Sequence, residues 1–500
     1  MGLCEDLFCF SNSNAVAIRD LSSEQERCFS YKQLVGKASE FASLLESQHE
    51  KSDNIVAIIG NNSFEFIACY YGILAAGKTV VLINPKNSQL KISELLNLCQ
   101  AKIVFTDLKN IYEGRKNYSL KDDYLSQKNQ IYQPAAYSSE RDAVIFFTSG
   151  STGDPKGVVR SYGAEYENAK RRMSPSHLKF KNISLLASSL CHNHALSKAE
   201  AIILEGSELV LMDSLNVEKY LNAIEKYAVT NLTATPSMFH LITAFLKNNK
   251  SQNDLSSVQI INLGAERLSN ELRDKIEKIF KSSRPKIFSR YGGSEFGANI
   301  FGSHPENLRT PDLSVGFPRS DVKVRIVDHQ LQICTQANFS RYLNVTEDNL
   351  FTNDGYFITK DLFSIDENGF YFFLGRVDDC IKCGSESLFP IEIEKVLDLY
   401  PNVTESVVIP ISDEIKNQKP VAFIISNKPD YRRVADIKNF VIEKIRPNAQ
   451  PRHIWFVRFF PRTQFGKVDR SELIKLAEYL VCGKVRPNEY LIEDSQIETN

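Results

Sequence analysis

Phe147-Thr148-Ser149-Gly150-Ser151-Thr152-Gly153-Asp154-Pro155-Lys156-Gly157 decides how this chain is read. The apolar run DAVIFF at 142–147 leads straight into it. Three glycines and four hydroxyl residues crowd the ten positions 148–157. A strand therefore runs into a donor-rich turn. Glycine lets backbone come close to phosphate oxygens, Ser and Thr supply O–H groups, and Lys156 supplies positive charge. This is not a Walker A loop, which needs G-x-x-x-x-G-K-[ST]; five residues after Gly150 stands Pro155. An ordinary Gly/Ser surface loop is the alternative, and so specific a run argues against it.

Outward from this turn the chain alternates β-branched runs with helical patterns. Ser30 is placed to cap a helix with Leu34, Ala38, Phe41 and Leu45 on one face. IVAII at 55–59, an apolar helical stretch at 64–76, TVVLI at 79–83, a helical segment near 90–100 and KIVFT at 102–106 follow. Later come SLLAS, ELVLM, TNLTAT, VQIINL and KIFSR, with helical patterns between them. Buried strands flanked by helices are α/β grammar. After residue 310 alternating strands dominate, as in KVRIV at 323–327 and FYFFLG at 370–375. Beyond Arg376 a compact unit begins, with a helix from about Pro390, strands ESVVIP and VAFII, a helix at 434–445 and a strand IWFVR. The expected organisation is a large N-terminal α/β domain (1–376) of two αβ sheet subdomains plus a β-rich subdomain. A hinge (377–378), a small mobile α+β domain (379–482) and a polar tail (483–500) follow.

The chain has 500 residues, 43% hydrophobic and 24% charged, enough for two to four domains and a large core. Sixty basic and 61 acidic residues leave a net charge of -1, which supplies no global field for nucleic acid or an anionic membrane. Arg171, Arg172, Lys179 and Lys181 are the one local basic cluster, read as a solvated surface. The N-terminus carries Glu5 and Asp6 rather than a basic region, so no signal peptide is expected, and the longest apolar run, Phe66 to Gly77, falls short of the roughly 20 residues of a membrane span. Ten scattered cysteines, including the lone C-x-x-C of Cys380 and Cys383, read as reduced, packed thiols in a cytosolic chain.

The 147–157 run resembles the phosphate loop of the adenylate-forming superfamily, which includes acyl- and aryl-CoA synthetases, peptide-synthetase adenylation domains and luciferases. Further motifs stand downstream in that family's order. Tyr291-Gly292-Gly293-Ser294-Glu295 resembles its Tyr-Gly-x-Ser/Thr-Glu, and Gly264-Ala265-Glu266 its segment bordering adenine and the acyl pocket. Thr359-Lys360-Asp361 resembles Thr-Gly-Asp, with Lys360 in place of the glycine; Gly375-Arg376-Val377-Asp378-Asp379 resembles the hinge, and Pro461 to Val468 the Pro-x-Thr-x-x-Gly-Lys motif.

The resemblance implies an ATP site of Thr148, Ser149, Gly150, Ser151, Thr152, Gly153, Lys156, Gly264, Ala265, Glu266, Tyr291, Gly292, Gly293, Ser294, Asp361, Arg376 and Lys467. Glu295 would bind Mg²⁺, a role that suits a carboxylate beside phosphates. Lys467, Glu295 and Thr152 are implied as catalytic and Asp378 as the pivot. A carboxylate would attack the α-phosphorus of ATP, pyrophosphate would leave, and the acyl adenylate would pass to a thiol, either CoA or a carrier protein's phosphopantetheine. Ser385 stands where many relatives have glycine in the segment lining the thiol's tunnel, and a Cβ there would narrow it.

His192, Asn193, Gly264 and Gly297 are the residues implied for the acid. The stretch Ser189 to Ser197 resembles both aryl- and acyl-activating relatives and leaves the two open; the Phe-Asp of amino-acid-activating relatives is absent. Lys198, if it faced the pocket, would favour a second acidic group on the substrate, but it reads as a solvated helix lysine. An enzyme passing its adenylate to an amine, and a nucleotide-binding protein without turnover, are the other readings.

Overall fold

The β-branched runs become strands because their side chains are buried on both faces. Ile55–Ile59, Thr79–Ile83 and Ile103–Thr106 pair in parallel, and every residue of Thr79–Ile83 is buried. The computed structural model describes all residues except 1, 49–53, 110–111, 125–130, 150–154, 174–180, 250–252, 265, 267, 307, 312, 344–349, 385, 463–467, 483–490 and 492–500, and the side chains of Gln48, Ser149 and Asn248. The chain divides into two units. The first comprises Met1–Arg309, Val315–Lys323 and Ile333–Phe357; the second comprises Thr310–Ser314, Val324–Gln332 and Ile358–Asn500.

The first unit holds two seven-stranded sheets. One runs in the order Lys286–Arg290, Ile260–Gly264, Asn231–Ala234, Ile183–Leu186, Glu208–Leu211, Val16–Asp20 and Arg27–Ser30. It is parallel except for its final antiparallel pair. The other runs Arg341–Leu343, Pro155–Ser161, Asp142–Ser149, Thr79–Ile83, Ile55–Ile59, Ile103–Thr106 and Lys116–Ser119. The helices Tyr31–Gln48, Phe64–Ala75 and Asn193–Leu204 share one apolar core with residues of both sheets. Phe64–Ala75 is buried along its whole length, as an all-round hydrophobic helix must be. Leu34, Ala38, Phe41 and Leu45 line the predicted face of Tyr31–Gln48 and are all buried. Its start is a capping box: Gln33 N–H donates to Ser30 Oγ at 3.3 Å, and Ser30 N–H donates back to Gln33 Oε1 at 2.8 Å.

The second unit contains most of a four-stranded sheet, Lys323–Val327, Gln330–Cys334, Phe357–Ile365 and Tyr371–Arg376. It also contains a five-stranded sheet built on the long antiparallel pair Val403–Asp413 and Asn417–Ser426. Helices Pro390–Leu397 and Val434–Lys444 pack on one face, and Arg470–Val481, which the sequence pattern did not reveal, on the other. The predicted α/β architecture with a small α+β part is thus present. In the stretch read as a tail, Leu491 pairs with Val457; the rest of 483–500 and Ser385 lie outside the described residues. Among the described residues no helix is long and apolar enough to cross a membrane. All ten cysteines are free thiols, Cys383 buried and Cys380 half-buried.

Ten non-glycine residues among those described have positive φ, and one of them falls in a motif. Lys360, at the family's glycine, has φ of +59°, in the left-handed region. A side chain there costs about 1–2 kcal/mol, of which glycine's unfolded-state entropy takes back about 0.5–1 kcal/mol. Lys360→Gly is therefore expected to stabilise the second unit by about 0.5–1 kcal/mol, read as a raised thermal midpoint; an unchanged or lowered midpoint would contradict this.

Candidate active site

In the first sheet Ile183–Leu186 pairs in parallel with Asn231–Ala234 on one side and with Glu208–Leu211 on the other. Here the strand order reverses, and in open α/β sheets ligands bind outside the carboxyl ends of strands at such a point. Those ends carry the singled-out residues: His192 and Asn193 after Ile183–Leu186, Gly264 and Glu266 at Ile260–Gly264, and Tyr291 to Gly297 after Lys286–Arg290.

Tyr291–Gly297 folds tightly on itself. Gly293 and Gly297 exchange both backbone hydrogen bonds at 3.0 Å. A Cβ on Gly292 would stand 2.6 Å from the Gly297 carbonyl oxygen and 2.7 Å from Ala298 Cα, so backbone blocks any side chain there. Gly297 has φ of +82°. Tyr291 stacks on Phe296, ring centroids 5.6 Å apart.

A buried arginine fixes this loop. Arg160, fully buried in Pro155–Ser161, donates Nη1 to the carbonyls of Ser294 at 2.9 Å and Ala337 at 3.0 Å. Its Nε pairs with Glu165, also fully buried. Glu200 lies beside Glu165, and Tyr70 donates to its carboxyl. Burial first, and then the Glu165 charge, push Glu200 well above the usual carboxylate range. Arg160 was not singled out in the sequence; an arginine amid VVRS gives no signal.

The phosphate-type turn is shorter than its sequence suggests. Asp142–Ser149 and Pro155–Ser161 form an antiparallel hairpin with Thr148 opposite Lys156, which leaves 150–154 as the connection. Gly150, Ser151, Thr152 and Gly153 lie outside the described residues, as does the side chain of Ser149. Thr148 Oγ1 donates to the Lys156 carbonyl at 3.5 Å. Lys156 Nζ sits over the Tyr342 ring, 5.2 Å from its centroid, and the Tyr342 hydroxyl donates to Glu295 Oε1 at 3.1 Å. Tyr342 reaches this position because Arg341–Leu343 pairs with Pro155–Ser161, a long-range pairing the sequence does not announce.

On the other side of the loop, Asn193 donates Nδ2 to the Gly293 carbonyl at 3.0 Å and accepts from Asn168 Nδ2 at 2.8 Å. Its amide is thus engaged in bracing the loop. His192 is the N-cap residue of Asn193–Leu204 and His194 lies in its first turn. A Cβ on Gly264 would meet His194 Cε1 at 2.7 Å, so the ring lies against bare backbone. Glu266 Oε2 accepts from Ser237 N–H at 2.9 Å in the first turn of Pro236–Asn248, where a carboxylate is favoured. Ala265 lies outside the described residues.

Two expectations from sequence are corrected here. Lys198 is not a solvated helix lysine: it is 3% exposed. Burial, with Arg172 and Arg290 nearby, draws its pKa down to about 8. Arg171 and Arg172 are not a solvated patch either, at 5% and 4% exposure. Arg171 pairs with Asp321 at 3.0 Å; Arg172 Nη1 lies 3.5 Å from His194 Nδ1, and burial draws its pKa down to about 10. A helix rich in charge reads as exposed, but Tyr162–Arg172 packs against Asn193–Leu204, which buries its last turn. Lys181 does stay exposed, paired with Glu208, and Lys179 lies outside the described residues.

In the second unit, Asp361 is buried and pairs with Arg376 at 3.0 Å across adjacent strands. Thr359 Oγ1 accepts from the Asp361 N–H at 3.0 Å. Asp378 is exposed in the turn after Tyr371–Arg376. Lys467 lies outside the described residues.

Residues 9–338 match the family model described as AMP-binding enzyme, and residues 392–467 match the AMP-binding enzyme C-terminal domain. Among curated relatives, 4-coumarate–CoA ligase 2 of Nicotiana tabacum is 23% identical over 93% of each chain. The 2-succinylbenzoate–CoA ligase of Bacillus cytotoxicus is 26% identical over 86% of this chain and 89% of its own. The ATP-bound structure of MatB from Rhodopseudomonas palustris superposes with a TM-score of 0.83 at 20% identity, over 96% of this chain and 100% of that one.

Removing Arg160 would leave Glu165 buried without its counter-charge. Arg160→Ala is expected to cost about 3–5 kcal/mol of stability by chemical denaturation, and adding Glu165→Leu should return part of it. A loss under about 1 kcal/mol would show that Arg160 is not the anchor of the Ser294 loop.

Proposed function

The chain belongs to the AMP-binding enzyme family, and from that premise we propose that it joins a carboxylic acid to a thiol through an acyl adenylate made from ATP. The observation that carries this is the line of contacts from Lys156 through Tyr342 to Glu295, which sets a cation and a carboxylate beside one hydrogen-bonded ring at the hairpin end. A polyphosphate needs that combination: positive charge for its oxygens and an oxygen ligand for its metal.

An acid carboxylate oxygen attacks the α-phosphorus, the bond to the bridging oxygen breaks, and pyrophosphate leaves. We assign Lys156 and the hydroxyls of Thr148, Ser149, Ser151 and Thr152 to the β- and γ-phosphates, with Gly150 and Gly153 letting backbone approach. Tyr291, Gly264, Ala265 and Glu266 are assigned to adenine, Gly292, Gly293 and Ser294 to the α-phosphate side, and Asp361 and Arg376 to the ribose. Lys467 is assigned to the charge that develops on the α-phosphoryl oxygens. Glu295 fits Mg²⁺: among the described residues no group of three or more acidic, His or Cys side chains forms a cage, and magnesium prefers one or two carboxylates completed by water and phosphate. When bound, the ion would neutralise phosphate charge. In the second half-reaction a thiol attacks the acyl carbon, the bond to the phosphate oxygen breaks, AMP leaves and the thiol proton passes to solvent. Asp378, exposed in its turn, is assigned to the pivot between the halves, within a division into 1–376, 379–482 and a tail. Both curated relatives named above are CoA ligases, which favours CoA over a carrier protein. The ten free thiols accord with a reducing compartment such as the cytosol.

The test is pyrophosphate exchange over a panel of acids. Lys467→Ala and Glu295→Gln are each expected to lower exchange by roughly 10²–10³-fold with little change in ATP affinity. Wild-type exchange in either would refute that assignment. Asp378→Pro is expected to retain exchange while blocking thioester formation; an unimpaired overall rate would move the pivot elsewhere.

A further inference from the structure

Among the described residues, most buried charges are matched by an opposite charge. Arg160 has Glu165, Arg171 has Asp321, and the buried carboxylates Asp20, Glu65, Glu208, Asp361 and Glu394 each have an arginine. The Glu200 carboxyl accepts from the Tyr70 hydroxyl, and burial raises its pKa. Arg172 and Lys198 are as buried as these, yet among the described residues neither touches a carboxylate. Arg172 Nε has no hydrogen-bond partner there at all. The carboxylate of electrostatic consequence for Lys198 is Glu205, seven residues along the helix, about 10 Å on at 1.5 Å per residue, and its Oε2 is held by Asn182 and Ser207.

The two cations belong to one place. His194 and Lys198 are one turn apart on the same helix face. Arg172 reaches His194, and the His194 ring covers Gly264. Gly264 is the cross-strand partner of Arg290, a third cation, whose Nε donates to the neutral side chain of Asn262 at 3.0 Å. Beside them, Asn193 holds Gly293 of the loop assigned to the α-phosphate. Three cations therefore surround the start of the helix that carries His192 and Asn193.

Taking adenylation as proposed above, we propose that this cluster receives a second carboxylate, so that the acid activated here is a dicarboxylic acid. The reacting carboxylate cannot fill the role. It loses its charge when it becomes the mixed anhydride with AMP, and a monoacid would then leave three desolvated cations against a neutral acyl chain, which is costly. A second carboxylate keeps its charge through both half-reactions. A purely apolar tail would have to displace water from Arg172 and Lys198 with nothing in exchange.

The experiment compares diacids, aliphatic and aromatic, with their half methyl esters of equal length in pyrophosphate exchange by the full chain. The wild type is expected to prefer the diacid by roughly 10²-fold or more in kcat/KM, because a site built for a polar group rejects the analogue that lacks it. Lys198→Met and Arg172→Gln should each reduce that ratio roughly 30-fold or more, mainly through KM for the diacid. Should either variant fail to fold, the wild-type ratio alone decides. Half-esters or simple monoacids used as well as diacids would overturn the dicarboxylate assignment and leave adenylation standing. Exchange with no acid of either kind, by a protein that binds ATP, would overturn adenylation and this assignment with it.

Discussion

The buried ion pair of Arg160 and Glu165 governs the arrangement of the first unit's site. Arginine's planar fork lets one side chain serve a carboxylate and two backbone carbonyls at once. Here it joins the hairpin strand Pro155–Ser161 to the helix Tyr162–Arg172, to Ser294 and to Ala337. The segments so joined are far apart in sequence and include the loop that carries Ser294 and Glu295. Such a pair does not pay for itself in stability against an apolar replacement; its value is that it fixes one geometry. Glu200 lies behind it, its pKa raised by burial and by the Glu165 charge.

A second constraint is the absence of side-chain volume. Gly292 and Gly297 let the Tyr291–Gly297 loop close on itself, and Gly264 lets the His194 ring lie on the strand end. Rigid backbone and a buried anchor thus hold the loop, while Asn168 and Asn193 brace it from the helix side. The charged groups then divide by environment. Lys156 and Glu295 are linked through Tyr342 at the hairpin end, whereas Arg172 and Lys198 are drawn inward among helices.

Much of the fold was legible because it rests on local physics. Runs such as IVAII and TVVLI read as buried strands, and Ser30 announces a helix start, which Gln33 completes in the structure. The helix Arg470–Val481 was missed: its pattern is mixed, its start depends on the Asp469 side chain accepting from Glu472 N–H, and its burial depends on the sheet beneath it. The motifs were visible in the sequence as patterns, since glycines, hydroxyls and a carboxylate in fixed order leave a mark in one dimension. Arg160 and Tyr342 leave no such mark, because their importance lies in what they touch.

The amino-acid order by itself determined the α/β alternation, the sequence of nucleotide-type motifs and the glycines their turns require, since strand burial, backbone freedom and donor density are properties of neighbouring residues. Only the tertiary structure decided which charges go inside and which of them meet an opposite charge. Arg171, Arg172 and Lys198 read as solvent-facing on their own helices, and it is the packing of Tyr162–Arg172 against Asn193–Leu204 that buries them. Desolvation depends on what covers a side chain, and that cover comes from segments distant in the chain.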